Sequence, residues 1–386
     1  MDFELNDDQI AFQETAREFA DRELAPNAAR WDEECIFPVE TLRLAGELGF
    51  CGVYCPEDVG GLGLSRLDAT IIFEALAGGC TSTTAYITIH NMATWMVAAF
   101  GQDAVREAWC PQLTAGEKLA SYCLTEPGAG SDAASLRTKA VRDGDGYRLT
   151  GSKVFISGAG ETDLLVVMAR TGREGAGGVS AFAVPADAEG ITYGRKEGKM
   201  GWNSQPTRGI TFEDVFVPEA NRLGAEGEGF RIAMKGLDGG RLNVATCSVG
   251  TAAAALDTAR RYAGERKQFG QAISEFQGVQ FKLADMATEL VAARQMVRLG
   301  AARLDAKHPE ATTYCAMAKC LATDLGFRIC NEALQVHGGY GYIREYPLER
   351  HVRDVRVHQI LEGTNEIMRV IIARRLLAPG SENLLA

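Results

Sequence analysis

From Asn6 to Leu24 the apolar residues Ile10, Phe12, Ala16, Phe19 and Ala20 recur near helical spacing, with Asn6 placed as an N-cap and Pro26 as a stop. Further helical runs are predicted over 39–48, 66–76, 85–100 and 104–113, interrupted by a loop at 56–63, so residues 1–118 read as a helical domain. Over 119–229 the texture changes to short β-rich runs such as 164–168, 179–184 and 210–217, separated by glycine-rich turns. Asp143-Gly144-Asp145-Gly146, between the runs 136–142 and 147–150, signals a hairpin because Asp-Gly tolerates the positive φ of a tight turn. Over 230–386 helical blocks return, at about 230–263, 274–306, 309–336 and 364–377, and four helices on short links predict a bundle. The expected fold is α+β and multidomain: an N-terminal α-helical domain, a central β-barrel-like domain and a C-terminal four-helix bundle.

A chain of 386 residues exceeds what one compact core normally holds, which fits three domains. Its net charge of −11 offers no global field for a polyanion, so no nucleic-acid partner is expected. The least polar long stretch, 85–100, contains His90 and Asn91 and reads as a buried helix, not a membrane insertion. Ten cysteines are scattered without a CxxC pair, as free thiols in a reducing compartment would be. Met1-Asp2-Phe3-Glu4 carries acids where a signal or transit peptide would carry bases. The expected location is the cytoplasm, or the mitochondrial matrix for a processed eukaryotic protein.

Tyr122-Cys123-Leu124-Thr125-Glu126-Pro127-Gly128-Ala129-Gly130-Ser131-Asp132 leaves a strand and enters a glycine-rich turn able to present N–H groups to an anion or a polar ring edge. Alone it reads first as a surface turn. Four more segments follow it in order: Lys153-Val-Phe-Ile-Ser157, Glu265-Arg266-Lys267-Gln268-Phe269-Gly270, Gln335-Val336-His337-Gly338-Gly339 and Leu361-Glu362-Gly363-Thr364. Together, on a helix–strand–helix plan spanning essentially the whole chain, they resemble the acyl-CoA dehydrogenase family.

The resemblance implies FAD as cofactor and an acyl-CoA as substrate. It places Tyr122, Cys123, Leu124, Thr125, Gly130 and Ser131 along the flavin ring, with Ser131 also reaching the acyl-CoA, and Phe155, Ile156 and Ser157 on the ring's other side. Many members carry Trp where this chain has Phe155, so shielding and electron exit are expected to differ while stacking is kept. Arg266, Phe276 and Gln277 match positions holding the pyrophosphate and adenosine region, a task suited to arginine's always-charged planar fork. Gln335, Val336, His337, Gly338 and Gly339 match a segment that reaches FAD held by a neighbouring subunit, which implies a homotetramer built as a dimer of dimers. Thr364, Asn365 and Glu366 fall with the cofactor-binding positions, and Ser131, Asp238, Gly239, Gly240, Arg241 and Arg374 with the substrate-binding ones. Electron-transfer flavoprotein is the implied electron acceptor.

Removing hydrogen from a saturated thioester requires a base for the α proton and a cofactor for the β hydride, since no side chain accepts hydride. The base needs a pKa raised towards neutrality by an apolar site. Glu362 follows Ile360 and Leu361, and Thr364 can N-cap the helix beyond it. A Glu before a helix is ordinarily a solvated helix-start residue; the resemblance instead puts Glu362 on the catalytic glutamate. Some branches carry the base immediately before the arginine of Asp238-Gly239-Gly240-Arg241, where this chain has Gly240 and no side chain to act.

Three segments, 236–248, 283–288 and 357–369, point within the family to a short α-branched acyl group, isobutyryl-CoA first, in valine catabolism. Butyryl- and 2-methylbutyryl-CoA are the alternatives. A different class is offered by His351, Asp354, His358 and Glu362, whose spacing would suit metal ligands on one helix face. Carboxylate-bridged sites want Glu-x-x-His pairs on separate helices, and the chain has none, so no metal is expected. A non-catalytic binding relative would have no need of Glu362, and an acyl-CoA oxidase would differ in its electron acceptor.

Overall fold

A computed structural model describes residues 4–380. The opening Met1-Asp2-Phe3 and the tail 381–386 lie outside the described residues. Six helices come first: α1 (Asp7–Phe19), α2 (Ala28–Glu33), α3 (Val39–Glu47), α4 (Arg66–Gly79), α5 (Thr81–Phe100) and α6 (Asp103–Thr114). Asn6 caps α1 as expected: its side chain accepts from the Gln9 N–H while Gln9 reaches back to the Asn6 N–H. A π turn over Ala20–Leu24 continues α1, and the helical run ends at Leu24, before Pro26, as expected. Phe19, Leu24, Trp31, Leu42, Phe73 and Tyr86 close one core among these helices.

Eight strands follow: β1 (Ala120–Cys123), β2 (Lys139–Asp143), β3 (Gly146–Ser157), β4 (Leu164–Arg170), β5 (Val179–Pro185), β6 (Ile191–Tyr193), β7 (Thr207–Pro218) and β8 (Arg222–Leu223). Their order is β6-β7-β3-β2-β4-β5-β8, with β1 pairing parallel to β4. Asp143 pairs with Gly146, leaving the two-residue turn Gly144-Asp145 with Gly144 at φ +56°. Inward residues of six strands, among them Cys123, Tyr147, Val167, Phe182 and Phe212, share one core. The sheet therefore curls around its own interior, barrel-like, while its path stays open between β6 and β8.

The last part holds α7 (Gly229–Glu265), a small hairpin of β9 (Lys267–Gln268) and β10 (Gln271–Ala272), then α8 (Gln277–Asp305), α9 (Ala311–His337), α10 (Leu348–Arg356) and α11 (Asn365–Leu376). The expected four-helix bundle is three long helices plus two short ones. Helix α10 escapes the hydrophobic pattern because its buried positions include His351 and Asp354 beside Leu348 and Val355. Small residues let the long helices approach: a Cβ on Gly326 of α9 would sit 2.9 Å from Ser248 Cβ of α7, and one on Gly250 of α7 would sit 2.2 Å from the Glu74 carbonyl of α4. Because α7 packs on α4, α5 and β5 as well as on α8 and α9, it ties all three parts together.

Candidate active site

The first wall is the segment leaving β1. Along β1 side chains alternate: Cys123 is buried inside the sheet, while Tyr122 packs outward against the helical core. The turn beyond is held from beneath by Glu126, which accepts from the backbone N–H groups of Arg137 and Thr138 and from Lys153 Nζ at 2.8 Å. Lys153 Nζ also donates to the Leu124 carbonyl, and the Val154 N–H donates to that of Thr125. Burial opposes charge on Glu126, but the Lys153 ammonium and these hydrogen bonds prevail and hold its carboxyl below the usual range. The consequence is a rigid, open turn: Ser131 is exposed, and a Cβ added to Gly128 or Gly130 would meet nothing within 4 Å.

The second wall is an irregularity in β3. Lys153 faces Ile210 and Ile156 faces Arg208, so β3 carries one extra residue against β7 and bulges. Phe155 sits in that bulge at φ +59° with its ring 70% exposed, while Ile156 turns into the sheet core. Ser157 is half-buried, its carbonyl bonded to Ser121 Oγ. A large aromatic held in the left-handed region and presented to solvent is costly and points to a ligand-facing role.

Glu362 lies in the link from α10 to α11. It too has positive φ, +57°, followed by Gly363 at +88°. Its Oε2 is buried and has no hydrogen-bond partner. Burial pushes the carboxyl up to about 7, against the opposing pull of Arg241 and Lys319. A Cβ at Gly240 would lie 2.5 Å from Oε2 and 3.0 Å from Met92 Sδ, so the carboxylate rests against a bare patch of α7. The Tyr122 hydroxyl is likewise buried without a partner. Arg241 is bound to Asp238 Oδ1 at 2.6 Å, and Asp238 Oδ2 accepts from Thr312, which fixes both charges on α7. Gly239 leaves room for Arg66, whose guanidinium stacks 3.4 Å over the Tyr54 ring.

A separate cavity of about 440 Å³ is lined by Tyr262, Arg266, Gln268, Ile273 and the run from Gln335 to Tyr340, with Ile343. The sequence reading assigned Arg266 and Gln335–Gly339 separately; the structure brings them to one cavity, which shares no residue with the Glu362 cluster. His337 is stacked on Tyr262 at 4.2 Å, and its buried Nε2 has no partner. Phe276 and Gln277 lie outside this lining: Phe276 meets the Phe269 ring edge-on, and Gln277 is exposed at the start of α8. A larger cavity, of about 770 Å³, is bounded by α1, α4, α7, α8 and α10 and contains none of the predicted cofactor or substrate residues, although His351 of the metal alternative lines it.

Around the base, Thr364 N-caps α11, accepting from the Ile367 N–H. Glu366 and Arg374 are exposed. Asn365 turns inward instead, its amide donating to Thr323 and Asp324 and its oxygen accepting from Lys319, so its side chain serves the turn. Lys319 and Met92 were not found from sequence. A lysine on the small-residue face of α9, among Cys315, Ala318 and Ala322, was a usable signal, whereas Met92 in the apolar α5 offered none. The metal alternative finds no support in geometry. The Trp202 indole N–H donates to His358 Nε2, Ser248 Oγ meets His358 Nδ1 at 2.6 Å, and Asp354 accepts from the Trp202 N–H. Among the described residues no three His, Cys, Asp or Glu side chains gather as metal ligands.

A buried carboxylate raised to about 7, an open glycine turn, an exposed aromatic in a strand bulge and a helical–sheet–helical plan define one class. The chain belongs to the acyl-CoA dehydrogenase family, a family of flavoprotein oxidoreductases acting on acyl-CoA: residues 6–117, 121–215 and 227–377 match its N-terminal, middle and C-terminal domains. It is 57% identical to the mitochondrial isobutyryl-CoA dehydrogenase of Bos taurus, over 97% of this chain and 90% of that one. The isobutyryl-CoA dehydrogenase of Dictyostelium discoideum is 53% identical over 96% of this chain and 90% of its own. Among solved structures, butyryl-CoA dehydrogenase from Megasphaera elsdenii aligns with a TM-score of 0.95 at 39% identity, covering 98% of this chain and all of that one.

Proposed function

We propose that the chain uses FAD to dehydrogenate isobutyryl-CoA to methacrylyl-CoA, with Glu362 as the base and electron-transfer flavoprotein as the acceptor. The observation that carries the reading is the partnerless Glu362 Oε2, buried against Gly240 and held near neutrality. The residues present fit a flavin: an open turn at Gly128–Gly130, an exposed Phe155 in its bulge and the partnerless Tyr122 hydroxyl form one group, and Arg266 with the partnerless His337 Nε2 forms another. When bound, FAD supplies the acceptor for the hydride that leaves the β carbon. Glu362 Oε2 takes the α proton. Among the described residues no backbone acceptor takes up the Glu362 N–H, which is left to polarise the thioester carbonyl in the manner of an oxyanion hole. Met92 and Glu362 both rest against Gly240 on α7.

Because the two cofactor groups share no lining, we place one from each of two subunits on every FAD and infer a homotetramer, a dimer of dimers. A holoprotein that sediments as a monomer would rule this out. The ten cysteines are all unpaired, in keeping with a cytoplasmic location, and among the described residues no helix is long and apolar enough to cross a membrane.

The test is anaerobic flavin bleaching against a panel of acyl-CoAs. Isobutyryl-CoA is expected to give the highest kcat/KM, with 2-methylbutyryl- and butyryl-CoA within the roughly 10 to 200-fold that one methylene discriminates, and palmitoyl-CoA negligible. A preference for butyryl-CoA by about tenfold or more would refute the substrate while sparing the family. Glu362→Gln should keep FAD and lose about 10² to 10⁴ in rate; normal bleaching in that variant would refute the base.

A further inference from the structure

The base is held in an uncommon backbone conformation, and something must hold it there. Glu362 and Gly363 both have positive φ, a conformation a residue with a Cβ keeps only when its surroundings over-determine it. The charged side chain that bonds the backbone of this turn is Lys319 of α9. Its stem is fully buried, and its ammonium donates to the Gly363 carbonyl at 2.7 Å and to Asn365 Oδ1 at 2.8 Å. Asn365 is locked in turn by Thr323 Oγ1 and Asp324 Oδ1 on the next turn of α9. The base-bearing link is thus riveted to α9 at the residue after the base and again two residues further on.

We propose that Lys319 is a positioning residue for the dehydrogenation: through the Gly363 carbonyl it fixes Glu362 against Gly240 and sets a positive charge behind the base. The inference deepens the assignment of Glu362 as base and rests on it. Lys319 makes no hydrogen bond to Glu362, so it leaves Oε2 free for a proton. The charged groups acting on the pair are few. Arg241 and Lys319 act on Glu362, whereas Glu362, Cys320, Asp324 and Arg241 act on Lys319. Burial brings the Lys319 ammonium down to about 8, with Glu362 first among the charges that sustain it. Each group therefore favours the charged form of the other without touching it.

Two variants separate the hydrogen bond from the charge. Lys319→Gln keeps an N–H donor for Gly363 and removes the charge; Lys319→Met removes both. In both holoenzymes the pH at which kcat/KM levels off should rise by about one unit or more, the usual effect of losing a nearby opposite charge. At the plateau, Lys319→Gln should lie within a few-fold of the parent. Lys319→Met should lose tenfold or more in kcat with little change in KM, and Lys319→Arg should restore the parental pH profile. A Lys319→Met enzyme that holds FAD with parental plateau and onset overturns the proposal. If Lys319→Met fails to take up FAD, Lys319→Gln decides alone, an unshifted onset overturning it and a raised onset supporting it. Glu362→Gln run alongside keeps the two readings distinct. Activity in that control would mean the base is misassigned, whereas a dead control with parental Lys319 variants would condemn only the role of Lys319.

Discussion

The molecule contains two buried partnerships of glutamate with lysine, and they are built to opposite ends. Glu126 and Lys153 touch at 2.8 Å, and Glu126 also accepts two backbone N–H groups, so charge is retained and a wall is fixed. Glu362 and Lys319 influence one another without contact: the lysine bonds the backbone beyond the glutamate, and one carboxylate oxygen is left with nothing. The first carboxyl is held below its ordinary range and the second is raised to about 7. Satisfaction of lone pairs, more than depth of burial, separates a structural carboxylate from one that can take a proton.

Breaking the satisfied pair should have the largest effect. Lys153→Met strands Glu126, and loss of one partner of a buried ion pair typically costs about 3–5 kcal/mol; a lowered denaturation midpoint with FAD loss is expected, and parental stability would count against the wall's dependence on this pair. Gly240→Ala tests the unsatisfied partner by position. The new Cβ meets the ends of two flexible side chains, Glu362 and Met92, so stability should hold, but a carboxylate displaced by about 1 Å can cost on the order of a hundredfold in rate. Unchanged turnover in a stable Gly240→Ala enzyme would show that the carboxylate does not work from this patch.

The smallest effect is that of pH on the parent enzyme. Glu362 must be deprotonated to act, so kcat/KM should climb with pH through about 7 and level above it, with a value at pH 6 about tenfold below the plateau. A profile flat between pH 5 and 8 would mean that the lone carboxylate titrates where Glu126 does. The accompanying stability effect has the reverse sign. A carboxyl whose pKa is raised on folding favours the protonated native state, so its contribution is complete below about 4.5 and fades as pH rises through 7.

Much of this contrast was legible in the sequence, and unevenly. Long helices and the Asp143–Gly146 turn could be read because periodicity and turn chemistry act locally. The bulge at Phe155 could not, since it exists only in register with β7, and α10 stayed hidden because His351 and Asp354 occupy buried positions. Glu362 was found through the family resemblance, since its neighbours alone read as an ordinary helix start. Lys319 was missed because its partner is a backbone carbonyl 44 residues away, and main-chain acceptors leave no mark on a residue pattern. Arg266 and Gln335–Gly339 were each picked out, yet their meeting in one cavity is a property of the fold alone.

The bare patch at Gly240 also bears on where the acid is rooted. A side chain rooted there would begin 2.5 Å from where the Glu362 carboxylate ends, so two unrelated points on the chain address a single point in space. A carboxylate rooted in the link before α11 and one rooted in the middle of α7 could therefore reach the same point, though not both at once. The glycine records which address this chain kept, and it holds the other vacant.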